Sequence, residues 1–170
     1  KSKGKLVKAR GIEVGHIFHF GQKYSVPMNA SISDGQGKNI SVYMGSYGVG
    51  LSRLVGAVIE ANHDKDGIVW PKEVSPWDYH IINLKSSDLN CDQICSNLYK
   101  LMKENSLSVL YDDTDERAGA KLAKADLIGL PYQIIIGPRG VKDKLFDVKN
   151  RKSGDVSKIS YNELLNFLNL

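Results

Sequence analysis

The spacing of apolar residues divides the chain into two rhythms. Up to residue 62 it predicts strands joined by turns, then one helix. Residues 6–10 and 11–21 read as strand, turn, strand, with Ile17, Phe18 and Phe20 out of strict alternation. That irregularity predicts a strand buried on both faces or kinked at Gly15. Residues 22–27 end it. Asp34-Gly35-Gln36-Gly37 marks a turn, and residues 39–44 return as a strand. Strands with no helix between them predict an antiparallel sheet. After the glycines at 45, 48 and 50, Leu51, Leu54, Val55, Val58 and Ile59 form one apolar stripe at helical spacing.

The second half alternates strand and helix. Residues 79–84 predict a strand. Ser87 or Asp88 caps a helix that buries Cys91, Ile94, Cys95, Leu98 and Met102. Residues 107–111 form a strand, and 117–128 form a helix ended by Gly129 with Pro131 beyond. Residues 132–136 form a strand, 137–140 a turn, and 145–149 pair with 156–159. Ser160-Tyr161-Asn162-Glu163 is a capping box that opens the last helix. Alternating strands and helices predict a small α/β unit with a mixed, mostly parallel sheet. Pro71 and Pro76 break the intervening stretch, so residues 71–77 read as a linker.

Composition narrows this picture only slightly. The 170 residues are 42% hydrophobic and 25% charged, as in an ordinary globular protein. No apolar run reaches membrane-spanning length, so no membrane partner is expected. Two cysteines do not make a disulfide scaffold and read as core thiols in a reducing cytosol. The net charge of +4 is uneven: residues 1–77 hold 10 Lys and Arg against 6 Asp and Glu, whereas residues 78–170 hold 13 of each. Any nucleic-acid surface in the second half therefore rests on local clustering. The first five residues are basic and lack an initiator methionine, like the start of an excised piece.

The clearest candidate chemistry is the glycine-rich turn before the first helix. Glycines let an anion approach backbone N–H groups, and Arg53 in the following turn adds a permanently charged planar fork. A dinucleotide-binding fingerprint is excluded: arginine stands where its third glycine belongs, and no βαβ unit surrounds it. Taken alone, the pattern also fits a glycine turn before an amphipathic core helix with an exposed arginine.

Three stretches together resemble one family. Residues 10–18 with 21–25 resemble bacterial-type prolyl-tRNA synthetases. Residues 44–53 look like motif 3 of class II synthetases, and 66–71 like the exit from their catalytic domain. From Trp77 onward, Asp112-Asp113, Gly119-x-Lys121 and Gly129-Leu130-Pro131 look like their anticodon-binding domain. The resemblance implies part of a class II antiparallel catalytic sheet over residues 1–70, then the linker, then an α/β anticodon-binding domain over 78–170.

The resemblance also implies a cytoplasmic, homodimeric ligase. It would activate proline with ATP and Mg2+ to prolyl-adenylate and transfer it to tRNA(Pro). Phosphoryl transfer depends mainly on positioning and charge stabilisation. Arg53 is then the catalytic residue that holds the ATP phosphates. Gly48 and Gly50 let substrate lie against the backbone. Glu13 and His16 face nucleotide and amino acid, and Phe18 packs on the proline ring. No metal ligand and no catalytic role for Ser46 are expected. On residue chemistry alone Glu13 equally suits a surface carboxylate, His16 and His19 sheet histidines, and Phe18 and Phe20 core.

For tRNA, Arg117, Lys121 and Lys124 repeat at i, i+4 and i+7, with Arg139 in a nearby turn. The resemblance makes this stripe a contact for the anticodon-loop backbone. Asp112, Asp113 and Asp115 can accept hydrogen bonds from splayed guanine or cytosine edges. The alternatives are an ordinary solvated helix face and a helix-capping acidic loop. Nothing resembles motif 1 or motif 2, so this chain alone is not expected to form prolyl-adenylate. A free-standing RNA-binding module would not need residues 10–18 or 45–53. A dinucleotide oxidoreductase conflicts with Arg53.

Overall fold

The computed structural model describes residues 4–170; the first three residues of the basic start lie outside the described residues. The chain forms two compact units, Lys1–Val58 and Ile59–Leu170.

In the first unit, β1 (Gly15–Gly21) and β4 (Met44–Val49) pair antiparallel, with His16 opposite Gly48 and Phe18 opposite Ser46. The register slips between His19 and Gly21, where Gly21 takes a φ of 57°. The strand is neither buried on both faces nor kinked at Gly15: Phe18 and Phe20 stack with ring centroids 6.0 Å apart, and Ile17, next to Phe18 on the strand, is exposed. A second antiparallel pair joins β2 (Ser31–Ser33) and β3 (Asn39–Ser41). Its turn is fixed by Asp34, whose Oδ1 accepts from Gln36 N and Lys38 N at 2.9 Å each. Helix α1 (Leu51–Ala61) follows the glycines as expected. The expected strand at 6–10 is absent. Leu6 and Val7 are exposed, and among the described residues no strand offers that segment a ladder.

The second unit is built on five strands in the order β11-β10-β9-β7-β8. Here β7 is Tyr79–Asn83, β8 is Val109–Asp112 and β9 is Tyr132–Ile136; β10 is Leu145–Asn150 and β11 is Val156–Ser160. The central β7 pairs parallel with both β8 and β9, and β9, β10 and β11 pair antiparallel. The sheet is thus mixed, with its terminal hairpin balancing the parallel half. One face packs Ile81, Val109, Ile134, Ile136, Phe146 and Val148 against helices α2 (Leu89–Glu104) and α5 (Tyr161–Leu168). Cys91 and Cys95 are fully buried, and burial pushes their thiols up to about 11 and about 12. They are core thiols, as the helical stripe predicts. Asp88, not Ser87, caps α2, accepting from Asn90 N and Cys91 N at 3.0 Å each. The predicted capping box closes on Ser160 and Glu163.

The opposite face carries α3 (Ala118–Ile128). Against α3 lies a hairpin of β5 (His63–Asp64) and β6 (Gly67–Ile68). Trp70 fastens it, donating from N to Gly129 O at 3.1 Å and from Nε1 to Ile128 O at 3.0 Å. Arg151, 5% exposed, donates to both carboxylate oxygens of Asp64 at 2.6 and 2.7 Å. These contacts join the hairpin to the second compact unit. Residues 138–143 also depart from expectation. They form a short helix, α4 (Pro138–Asp143), because Pro138 occupies a first-turn position that needs no N–H.

Candidate functional site

In open α/β sheets, ligands gather at the carboxyl ends of parallel strands. In the second unit these ends are Asn83, Asp112 and Ile136. The loop from β8 to α3 holds Asp113 and Arg117, both exposed. Its first turn is set by Asp112, whose Oδ1 accepts from Thr114 N at 3.1 Å and Thr114 Oγ1 at 2.6 Å. Burial favours a raised Asp112 pKa, but the Thr114 hydrogen bonds and nearby Lys121 outweigh it, so its carboxyl lies below its ordinary value. Asp112 is therefore an inward-facing anchor for the loop, 8% exposed, rather than an open base reader.

Lys121 requires a larger correction. It is fully buried, with Nζ 2.6 Å from Asn83 O and 3.4 Å from Asp112 Oδ1. The expected exposed stripe of Arg117, Lys121 and Lys124 is broken at its centre. Ala118, Leu122, Ala125 and Ile128 line the inward side of α3, and the small alanines leave room for the lysine stem. Lys124 remains half-exposed and is held by Glu116 at 2.6 Å.

After β9, exposed Arg139 borders an open cleft of about 400 Å3. Leu84, Gly137, Asp143, Asp147 and Lys158 also line it. Sequence reading misses Asp147 and Lys158, although the predicted strand pair at 145–149 and 156–159 contained the signal. Its register sets Asp147 directly opposite Lys158. A larger groove of about 570 Å3 lies on the other sheet face, among Ile94, Val141, Phe146 and Tyr161. Its other lining residues are Asn97, Lys144, Ser160 and Asn162, with no carboxylate among them.

In the first unit the structure gathers the candidates onto one exposed face. Arg53 donates to Glu13 O at 3.0 Å and lies 3.7 Å from Glu13 Oε1. His16 is 3.7 Å from the same carboxylate oxygen and stacks on Phe18 with ring centroids 4.3 Å apart. Gly48, opposite His16, has no neighbour that a Cβ would meet; Gly50 donates its N–H to Val14 O at 2.9 Å. This forms an aromatic wall, a carboxylate and a guanidinium beside bare backbone.

A family model described as the anticodon binding domain matches residues 78–169. The chain belongs to this anticodon-binding family. It is also similar to curated relatives named proline--tRNA ligase. The one from Chelativorans sp. (strain BNC1) is 56% identical over 151 residues, covering 89% of this chain and 34% of the relative. The one from Caulobacter vibrioides (strain NA1000 / CB15N) is 50% identical over 165 residues, covering 97% of this chain and 37% of the relative. The chain thus spans about a third of these relatives' length. In fold, it resembles the crystal structure of prolyl-tRNA synthetase from Cryptosporidium parvum complexed with L-proline and AMP, at TM-score 0.74 and 21% identity. That match covers 92% of this chain and 35% of the solved one.

Proposed function

We propose that this chain is part of a proline–tRNA ligase, with residues 78–170 recognising the tRNA(Pro) anticodon and residues 1–70 contributing to the ATP and proline site. The carrying observation is the extent of likeness to named ligases: at 50% identity it covers 97% of the chain, both units included. A free-standing anticodon module would leave residues 1–77 without a purpose.

In this reading proline's carboxylate attacks the α-phosphate of ATP and pyrophosphate leaves; the tRNA 3′-terminal hydroxyl then takes the prolyl group, and AMP leaves. Arg53 steadies phosphate charge. Gly48 and Gly50 admit substrate to the backbone, Glu13 and His16 orient it, and Phe18 covers the proline ring. Magnesium would accompany the nucleotide. Among the described residues no three His, Cys, Asp or Glu side chains cluster to hold an ion, so no ligand is assigned to it in this chain. The complete enzyme is a cytoplasmic homodimer in this proposal, and the chain alone is inactive in adenylate formation.

At the anticodon unit, Asp113 accepts from base edges, while Arg117, Lys124 and Arg139 meet the phosphates and Asp112 holds the loop. The test is binding to tRNA with a proline anticodon and to a copy with altered anticodon bases, each at two salt concentrations. The expected result is selective weakening of about tenfold or more per altered base, superimposed on a common salt dependence. Equal, salt-sensitive binding to both would reduce the surface to a generic basic one and overturn the assignment.

A further inference from the structure

The Lys121 ammonium lies at the junction of two loops. Asn83 is the last residue of β7 and Asp112 the last of β8. Lys121 Nζ donates to Asn83 O at 2.6 Å and to Asp112 O at 3.5 Å, with Asp112 Oδ1 3.4 Å away. Two backbone carbonyls accept from the ammonium, and one carboxylate oxygen lies at ion-pair distance as a third neighbour. All three belong to residues from which the loops at 84–88 and 113–117 depart.

Further bonds extend from the same two residues. Asn83 Oδ1 accepts from Lys85 N at 3.1 Å, fixing the first loop. Asp112 Oδ1 accepts from Thr114, fixing the second. Ser86 Oγ donates to Thr114 O at 3.3 Å and ties the loops together. Arg117, at the mouth of α3, sits one turn before Lys121 and has no side-chain capping bond of its own. Its placement therefore depends on how α3 is held against the strand ends.

We infer that Lys121 is a positioning residue for anticodon discrimination: it clamps the ends of β7 and β8 to α3, presets the loops at 84–88 and 113–117, and touches no nucleotide. This inference rests on the proposed tRNA reading, but the clamp can also be read without RNA.

A phosphate contact and a buried clamp give opposite signatures. Removing a lysine that neutralises a phosphate lowers the slope of log K against log salt by about 0.7 to 0.9 and leaves base discrimination intact. For Lys121→Met, which keeps the stem length and removes the charge, the expected slope equals that of the original chain. The ratio of binding to proline-anticodon and altered tRNA should fall at least about fivefold. A reduced slope with an unchanged ratio would overturn the clamp.

Thr114→Val gives a second reading if the methionine variant fails to fold, since it removes only the Oγ1 bond to Asp112. It should lower the same ratio without changing the slope; an unchanged ratio counts against the clamp. In the free protein, hydrogen exchange at the backbone N–H of residue 114 should rise about tenfold or more in either variant. Unchanged exchange would overturn the inference whatever the RNA result. If the original chain fails to discriminate while exchange rises, the tRNA reading fails and the clamp stands as a structural device only.

Discussion

Gly129→Ala is expected to cost about 3 to 5 kcal/mol of stability in the second unit, through two additive penalties. Gly129 ends α3 with a φ of 76°, a left-handed conformation that costs an L-residue about 1–2 kcal/mol. A Cβ there would also collide with Ile68 O and Ile68 C. Both are backbone atoms of the docked hairpin and cannot turn aside like a flexible side chain. The hairpin must lift away, which loosens the Trp70 bonds to Ile128 and Gly129. Gly119→Ala is the matched control: nothing lies within 4 Å of its new Cβ, and it sits inside the same helix. That substitution is expected to be neutral or stabilising by about 0.5 kcal/mol. Urea unfolding of both variants checks the pair. A loss below about 1 kcal/mol for Gly129→Ala would show that the hairpin is not held as described.

The second large effect is a loss of stability on mild acidification, caused by His80. This residue is 1% exposed on β7, and its Nδ1 has no hydrogen-bond partner in the described structure. Burial lowers its pKa to about 4 from an ordinary 6.5, with the Asp112 charge opposing weakly. Between those values the unfolded chain takes up the proton and the folded chain does not. Stability is therefore complete above pH 6.5 and falls as pH drops toward 4, by about 3 kcal/mol across the full window. From pH 7 to pH 5 the expected loss is about 2 kcal/mol. In His80→Gln most of that loss should vanish. If the variant loses as much as the original chain, the acid sensitivity belongs to another group.

How far the fold could be read from sequence depended on whether the local pattern matched the tertiary partner. The Cys91, Cys95, Leu98 and Met102 stripe and the Ser160–Glu163 box carry their own instructions, and the structure keeps both. Residues 6–10 alternate like a strand, but alternation does not supply the neighbouring ladder a strand needs. Residues 63–67 are polar and carry no strand pattern of their own, because the hairpin they form is held by Arg151, far along the chain.

The candidate site shows the same limit. Glu13, His16, Phe18 and Arg53 were singled out by motif, and the β1–β4 register brings their segments together. Lys121 was misplaced because a charge at i+4 looks solvent-facing. The flanking Ala118, Leu122, Ala125 and Ile128 already marked that side as inward. Asp112 was misjudged for a related reason: it is 8% exposed, and Thr114 and Lys121 hold its Oδ1 inside the protein.

The most direct test of anticodon recognition is hydrogen exchange of the chain with and without tRNA carrying the proline anticodon. The account predicts slowed exchange in the loops at 84–88 and 113–117 and around Arg139, with little change in the β2–β3 hairpin. Protection confined to the first unit, or protection identical with an altered anticodon, would contradict anticodon reading at the carboxyl ends of β7, β8 and β9.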